Sequence, residues 1–356
     1  MKAEEILKEL VAIDTIADNN NHEIMDRIGG FFLDQGFKIK SIENKDTEKS
    51  ILIAEYGKNP AIGFLGHTDT VAITEGWETD PFTLTEKEGK LYGLGACDMK
   101  GGLAAVMAAI SETDLSRLKR GIKVIFTYDE EILFQGIKDV MDNNIELPPH
   151  MIVAEPTDNI PMTGSKGLLE YKFTFKGETT HSSLPIDGKS SNKNAVSFLN
   201  SMMDLEAELR EEPNDFFDVP YTTMNIGIIN GGTSINKVPA ETTVYLDFRI
   251  CNSEKEYQKI RKRVDETLEK YDASYEIIND IPSFLNDGAL IKDYEDMTRK
   301  KGRPFFGITE ASFFGGDRVI IGPGPMTAHE KNEHISKDAL LKSVEIYKKM
   351  IEKLCK

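Results

Sequence analysis

The sequence predicts an α/β protein: a mixed, mostly parallel sheet with flanking helices, interrupted by an inserted α+β domain of ferredoxin-like order. Three observations carry that expectation. β-type and helical runs alternate along the first part of the chain, a block ordered β-α-β-β-α-β begins near Gly167, and after Ile281 the chain returns to a helix, a short strand and a closing helix. The 356 residues also exceed what one hydrophobic core usually supports. Two domains are therefore expected, one from residues 1–166 and 280–356 and the other from the inserted residues 167–279.

In chain order, Met1 to Asp14 places Glu4, Glu5, Glu9 and Asp14 between apolar residues at helical spacing, unlike a basic, apolar secretion signal. Ser50 to Tyr56 and Ala61 to Leu65 are β-type runs, Leu103 to Ile110 is helical, and Lys123 to Thr127 and Met151 to Ala154 are again β-type. In such an architecture ligands gather at the carboxyl ends of the strands. In the inserted block, Leu168 to Phe175 alternates at period two and Asn194 to Leu209 is helical. Thr222 to Ile229 and Thr242 to Ile250 are strands, Glu254 to Lys270 is helical, and Ser274 to Ile278 is the last strand. Val319 to Ile321 and a helix around Ala339 to Leu354 complete the first domain.

Composition excludes several classes of function. Forty-three basic against 60 acidic side chains leave a formal charge of −17, which would repel nucleic acid and anionic membrane surfaces. The longest apolar run, Leu103 to Ile110, is far shorter than the roughly 20 residues of a spanning helix. Cys97, Cys251 and Cys355 are odd in number and far apart, which points to a reducing, cytoplasmic setting.

Polar residues follow three of the β-type runs. His67 and Asp69 are two positions apart just past a strand, where one side chain can bind a metal and the other orient it; a loop pair with no such role reads as well. Asp98, in a glycine-rich turn before a helix, is either an N-cap or a ligand. Asp129, Glu130 and Glu131 leave a buried strand as a cluster that repels itself and loses hydration unless cations neutralise it or it is a solvated turn. Glu155 stands at another strand end, held by Pro156, and His329 lies in the loop Gly322 to Glu333. His22, His150 and His334 have no comparable setting and read as surface histidines. Two imidazoles and three carboxylates complete two zinc sites if one carboxylate bridges, and the charge left by two ions would draw a carboxylate or a developing oxyanion.

The order of these segments resembles the aminoacylase and carboxypeptidase family of co-catalytic zinc hydrolases over nearly the whole chain, most closely its acetylornithine deacetylase branch. The likeness rests on Trp77 to Thr85, Gly89 to Gly95, Asp98 to Gly101, Glu155-Pro156-Thr157, His181-Ser182-Ser183, Val219-Pro220-Tyr221 with Gly231-Gly232, Thr309-Glu310-Ala311 and Gly322-Pro323-Gly324. It implies two zinc ions, with cobalt or manganese as substitutes, bridged by Asp98, with His67 and Glu155 on one and Glu131 and His329 on the other. It implies Glu130 as general base and Asp69 as the residue that orients His67. The inserted domain resembles the family's lid, which pairs two subunits, so a homodimer is implied. In it His181 would steady the oxyanion in the neighbouring subunit, Arg249 would bind a substrate carboxylate and Asn236 would assist. Cys97, beside Asp98, reads better as a small buried hydrophobe than as a nucleophile.

The function implied is metal-dependent hydrolysis of a small N-acyl amino acid, N-acetylornithine to ornithine and acetate in arginine biosynthesis. Alternatives within the family are N-succinyl-diaminopimelate desuccinylase, another deacylase, or a dipeptidase or carboxypeptidase. Ile132 to Ile137 is more apolar than the family pattern and Thr309-Glu310-Ala311 is followed by Ser312-Phe313-Phe314, which leaves the acyl group and side chain open. A metal-free binding protein on the same fold would have lost ligands or base, and all are present.

Overall fold

The structure is a computed structural model describing residues 2–17, 19–184, 189–251, 253–286 and 288–356. The chain forms two compact units: Met1–Thr163 with Asn286–Arg303 and Thr309–Lys356, and Gly164–Leu285 with Pro304–Ile308.

The first unit is built on a mixed sheet. Lys38–Asn44, Lys49–Tyr56 and Ile122–Thr127 follow one another antiparallel at one side. From Ile122–Thr127 the order continues through Ile62–His67, His150–Val153 and Asp317–Ile320, all parallel. Every residue of Ile62–His67 and Ile122–Thr127 is buried, as expected where both faces of a parallel sheet are covered. His67 lies opposite Thr127 and Leu65 opposite Val153, so three adjacent strands end side by side and deliver their following loops to one edge.

The helix Lys100–Ser111 is buried from Lys100 to Ile110, matching an apolar surface that runs all round it. It packs against Ala3–Val11 and against the last helix, Lys337–Cys355, which starts at Ser336 with the hydroxyl accepting from the Ala339 amide. Gly102 sets how near that buried helix comes to the sheet: a Cβ there would stand 1.9 Å from the carbonyl oxygen of Ala154. A small sheet of Thr85–Lys87, Lys90–Tyr92 and His334–Ser336, not anticipated from the sequence, ties the segment after His329 to the segment before Asp98.

The second unit holds a four-stranded antiparallel sheet in the order Thr223–Gly231, Glu241–Ile250, Gly167–Lys176, Ala273–Ile281. With Ser191–Arg210 and Ser253–Leu268 the chain order is β-α-β-β-α-β, the ferredoxin-like arrangement. Alternate residues Val244, Leu246, Phe248 and Ile250 are buried with Tyr171, Phe173, Phe175, Phe198 and Leu205 in one core. Among the described residues no helix is long and apolar enough to cross a membrane.

Candidate metal centre

His67 is the last residue of its strand and fully buried. Its Nδ1 lies 3.1 Å from the carbonyl oxygen of Asp69 and 3.4 Å from Asp69 Oδ1. A proton on Nδ1 is therefore held on that side, and Nε2 faces Asp98 Oδ1 at 3.2 Å, with Glu155 Oε1 at 3.9 Å. The other oxygen of Asp98 is 3.7 Å from Nε2 of His329, and that same nitrogen is 3.1 and 3.0 Å from the two oxygens of Glu131. One carboxylate thus stands between two imidazoles, each of which has a further carboxylate beside it. Ligand atoms of His67, Asp98 and Glu131 all lie within 4.8 Å of one another.

The acidic turn after Ile122–Thr127 has its own supports. Asp129 adopts a left-handed conformation, φ 52°, and precedes the short helix Glu130–Leu133. The ammonium of Lys49 pairs with Asp129 Oδ1 and also donates to the carbonyl of Ala17, and both side chains of the pair are nearly buried, 9 and 11% exposed. Asp69 Oδ2 accepts from the Glu131 amide at 3.1 Å, so the residue beside His67 also fixes the start of this helix.

Charge is concentrated here. Burial, with Glu155, Glu131 and Asp98 as like neighbours, pushes Glu130 well above the usual carboxylate range despite the pull of His67. Burial and Asp98 do the same to Glu155. Burial also raises Glu131, outweighing the hydrogen bond from His329 that draws it down. On the partner side that hydrogen bond dominates, and His329 is raised to about 9. Burial opposes a charge on His67, yet Asp69, Asp98 and Glu155 together hold it well above 6.5. Acids driven up and imidazoles held protonated describe a pocket short of positive charge. The donors gathered there, the imidazoles of His67 and His329 and the carboxylates of Asp98, Glu131 and Glu155, are nitrogen and oxygen. Divalent cations of the zinc, cobalt or manganese type fit such a set.

Four buried charged residues near this centre are given no role by the sequence reading, although Lys100 and Glu310 stand in segments that carry the family likeness: Lys49, Lys100, Glu310 and Glu333. Lys100 donates from Nζ to the carbonyl of Ile13 at 2.8 Å. Glu333 accepts backbone N–H groups of Gly95, Cys97 and Asp98, and burial still pushes it up to about 7. A lone acid or lysine at the start of an element or in a loop carries no periodic signal of burial; the hint for Glu333 is its place in the loop that bears His329. Cys97 is buried, its thiol pushed up by that burial and 3.4 Å from the carbonyl of Pro325. His22 is exposed, whereas His150 stands 3.3 Å from Asp317 and His334 lies tilted against Tyr92 with ring centroids 4.8 Å apart, and these two are only part-exposed.

His181, Asn236 and Arg249 belong to the second unit. His181 is exposed, with Nδ1 2.7 Å from Ser183 Oγ, and it bridges to Lys237 in the segment that holds Asn236. Asn236 accepts from Ser234 Oγ at 2.5 Å. Arg249 forms a fork with Asp247 at 3.0 to 3.2 Å and borders a cavity of about 260 Å³ with Lys166 and Phe217.

Over 97% of its length the chain is 30% identical to an acetylornithine deacetylase of Pasteurella multocida (strain Pm70), covering 94% of that protein. Its fold is similar to that of the aminopeptidase PepT of Bacillus cereus ATCC 10987 (21% identity, TM-score 0.80, 99 and 98% of the two chains). It is also similar to that of the YXEP protein of Bacillus subtilis, a dinuclear metal binding peptidase (16% identity, TM-score 0.70, 99 and 97%). The model of Peptidase family M20/M25/M40 matches residues 63–353, and with the metal-type donor cluster at its strand ends the chain belongs to that family and is a metal-dependent hydrolase.

Proposed function

We propose that this protein hydrolyses the amide of a small N-acyl amino acid, N-acetylornithine to ornithine and acetate, using two zinc ions. The observation that carries the two-metal reading is the Asp98 carboxylate, whose oxygens face Nε2 of His67 and Nε2 of His329 at 3.2 and 3.7 Å. In this reading His67, Asp98 and Glu155 would hold one ion, and Asp98, Glu131 and His329 the other. Bound divalent ions supply Lewis acidity towards the amide carbonyl and make the attacking water easier to deprotonate.

The remaining chemistry falls to side chains. Glu130, ionised once bound cations offset the like charges of Glu155, Glu131 and Asp98, takes a proton from the attacking water and returns it to the leaving amine. Asp69 keeps the proton of His67 on Nδ1. Arg249 binds the substrate carboxylate by exchanging part of its fork with Asp247 for the ligand, with Asn236 assisting. His181 donates to the tetrahedral oxyanion in the neighbouring subunit, so the active form is a homodimer joined through the ferredoxin-like unit, which acts as the lid. A free sheet edge at Thr223–Gly231 with exposed Ile228 and Ile229, and exposed Val196 and Met203 on the adjoining helix, supports that assembly. The named deacetylase relatives support the substrate class, and three free, buried cysteines support a reducing, cytoplasmic setting.

The test is amine release from N-acetylornithine, N-succinyl-diaminopimelate, N-acetylcitrulline, N-acetylmethionine and a dipeptide, with metal-free and zinc-loaded protein side by side. Zinc-dependent turnover dominated by N-acetylornithine is expected. Preference for the succinyl substrate or the dipeptide would replace the substrate, and equal activity without metal would overturn the mechanism.

A further inference from the structure

Glu333 joins two segments of the centre through main-chain donors. Its Oε1 accepts from the backbone amides of Cys97 and Asp98 at 2.8 and 2.9 Å, and its Oε2 accepts from the amide of Gly95 at 2.9 Å. Its carbonyl oxygen accepts from the Gly93 amide at 3.1 Å. The next residues, His334–Ser336, pair antiparallel with Lys90–Tyr92, and the residue is only 2% exposed. One buried carboxylate is thus bound through three main-chain donors to the loop that ends in Asp98, and it sits four positions after His329, whose own backbone is in the left-handed region at φ 63°. A second bond secures the same junction, the Thr327 amide donating to Cys97 Sγ at 3.3 Å.

We infer that Glu333 is a positioning residue that locks the Asp98 loop to the His329 segment, so that the spacing of the bridging carboxylate from the second imidazole is set before any ion arrives. This rests on the two-metal reading above. Both Glu333 oxygens are occupied by main-chain donors, so the residue acts through Asp98 and not as a ligand. A carboxylate is required, because all three donors need acceptor oxygens. A carboxamide of the same shape would turn an N–H towards either Gly95 or the Cys97 and Asp98 amides, losing at least one bond and opposing donor to donor. Preorganised supports of this kind typically govern metal affinity by about 10- to 100-fold.

The experiment uses the full chain and cobalt(II) or zinc alone as probe, with competition against a chromophoric chelator. Wild type is expected to bind two ions, and Glu333→Gln to bind at least one of them ~10- to 100-fold more weakly, with an altered cobalt visible spectrum. At saturating metal its kcat should fall while KM stays near wild type, and Glu333→Asp, which keeps the charge at shorter reach, should lie between. Glu333→Gln with wild-type affinity for both ions and an unchanged spectrum would overturn the inference. Should the variant not fold, amide hydrogen exchange on metal-free wild type decides: protection of Gly95, Cys97 and Asp98 supports the lock, and free exchange shows that the ions, not Glu333, organise the loop. Wild type that binds no metal would remove the two-metal reading itself, and this inference with it.

Discussion

Replacing Lys49 by methionine removes the cation from a nearly buried pair and leaves Asp129 in place, one residue before the proposed base. The two side chains are 9 and 11% exposed, and Lys49 also donates to the carbonyl of Ala17, so methionine deletes two contacts of one ammonium while keeping most of its packing. Breaking a buried ion pair from one side costs about 3–5 kcal/mol, chiefly because the remaining charge is still desolvated. At about 2–4 °C per kcal/mol for a unit of this size, the melting temperature of the metal-free protein should fall by roughly 6–20 °C. Circular dichroism melts of wild type, Lys49→Met, Asp129→Asn and the double variant measure it. If leftover charge is the cause, the double variant should recover most of the loss. A loss in the double variant equal to that of Lys49→Met, or a single-variant shift under about 2 °C, would refute the argument.

Glu130→Gln keeps the shape of the proposed base without its proton chemistry; kcat should drop about 10²- to 10⁴-fold with both ions retained, as read by stopped assays and elemental analysis. His181→Ala should lower kcat without changing metal content, and an unchanged kcat would remove it from the oxyanion role. Gly102→Ala puts a methyl 1.9 Å from the Ala154 carbonyl, next to Glu155, and should cost about 2–3 kcal/mol in urea unfolding, or be neutral only if the buried helix shifts. Hydrogen bonding to Glu131 raises His329 to about 9, so in metal-free protein its imidazole is charged at neutral pH, whereas a ligand must be neutral. Zinc binding at pH 7.5 should therefore release at least one proton, seen by calorimetry in buffers of different ionisation enthalpy, and apparent affinity should rise with pH up to about 9. The sign for folding is opposite: the stabilisation that a raised His329 gives the metal-free protein is full below about 6.5 and fades as pH climbs through about 9.

What could be read from the sequence follows from which physical signals are local. Parallel strands buried on both faces appear as short apolar runs, and polar residues directly after them mark the sheet edge, so His67, the acidic turn and Glu155 could be placed on one edge before any coordinates. Period-two burial likewise makes the inserted sheet legible, from Val244 through Ile250. His329 is different. It follows a loop of prolines and glycines from Gly322 to Pro325, and what returns that loop to the Asp98 turn is the pairing of His334–Ser336 with Lys90–Tyr92 together with the bonds of Glu333 and Thr327 to residues 93–98, contacts remote in sequence. Such a three-residue strand is too short to show a period. The roles given to His181, Asn236 and Arg249 came from family likeness alone, since an exposed histidine and an arginine forked to Asp247 announce nothing by themselves. Buried charges were the least legible of all. Lys49, Lys100 and Glu333 each owe their burial to a partner distant in sequence, Asp129, the Ile13 carbonyl and the Gly95–Asp98 amides, and a side chain whose desolvation is offset by a remote group has the same local sequence as one in water. A centre that concentrates acids therefore hides in sequence the residues that make the concentration tolerable, and these are where substitutions should separate metal affinity from turnover.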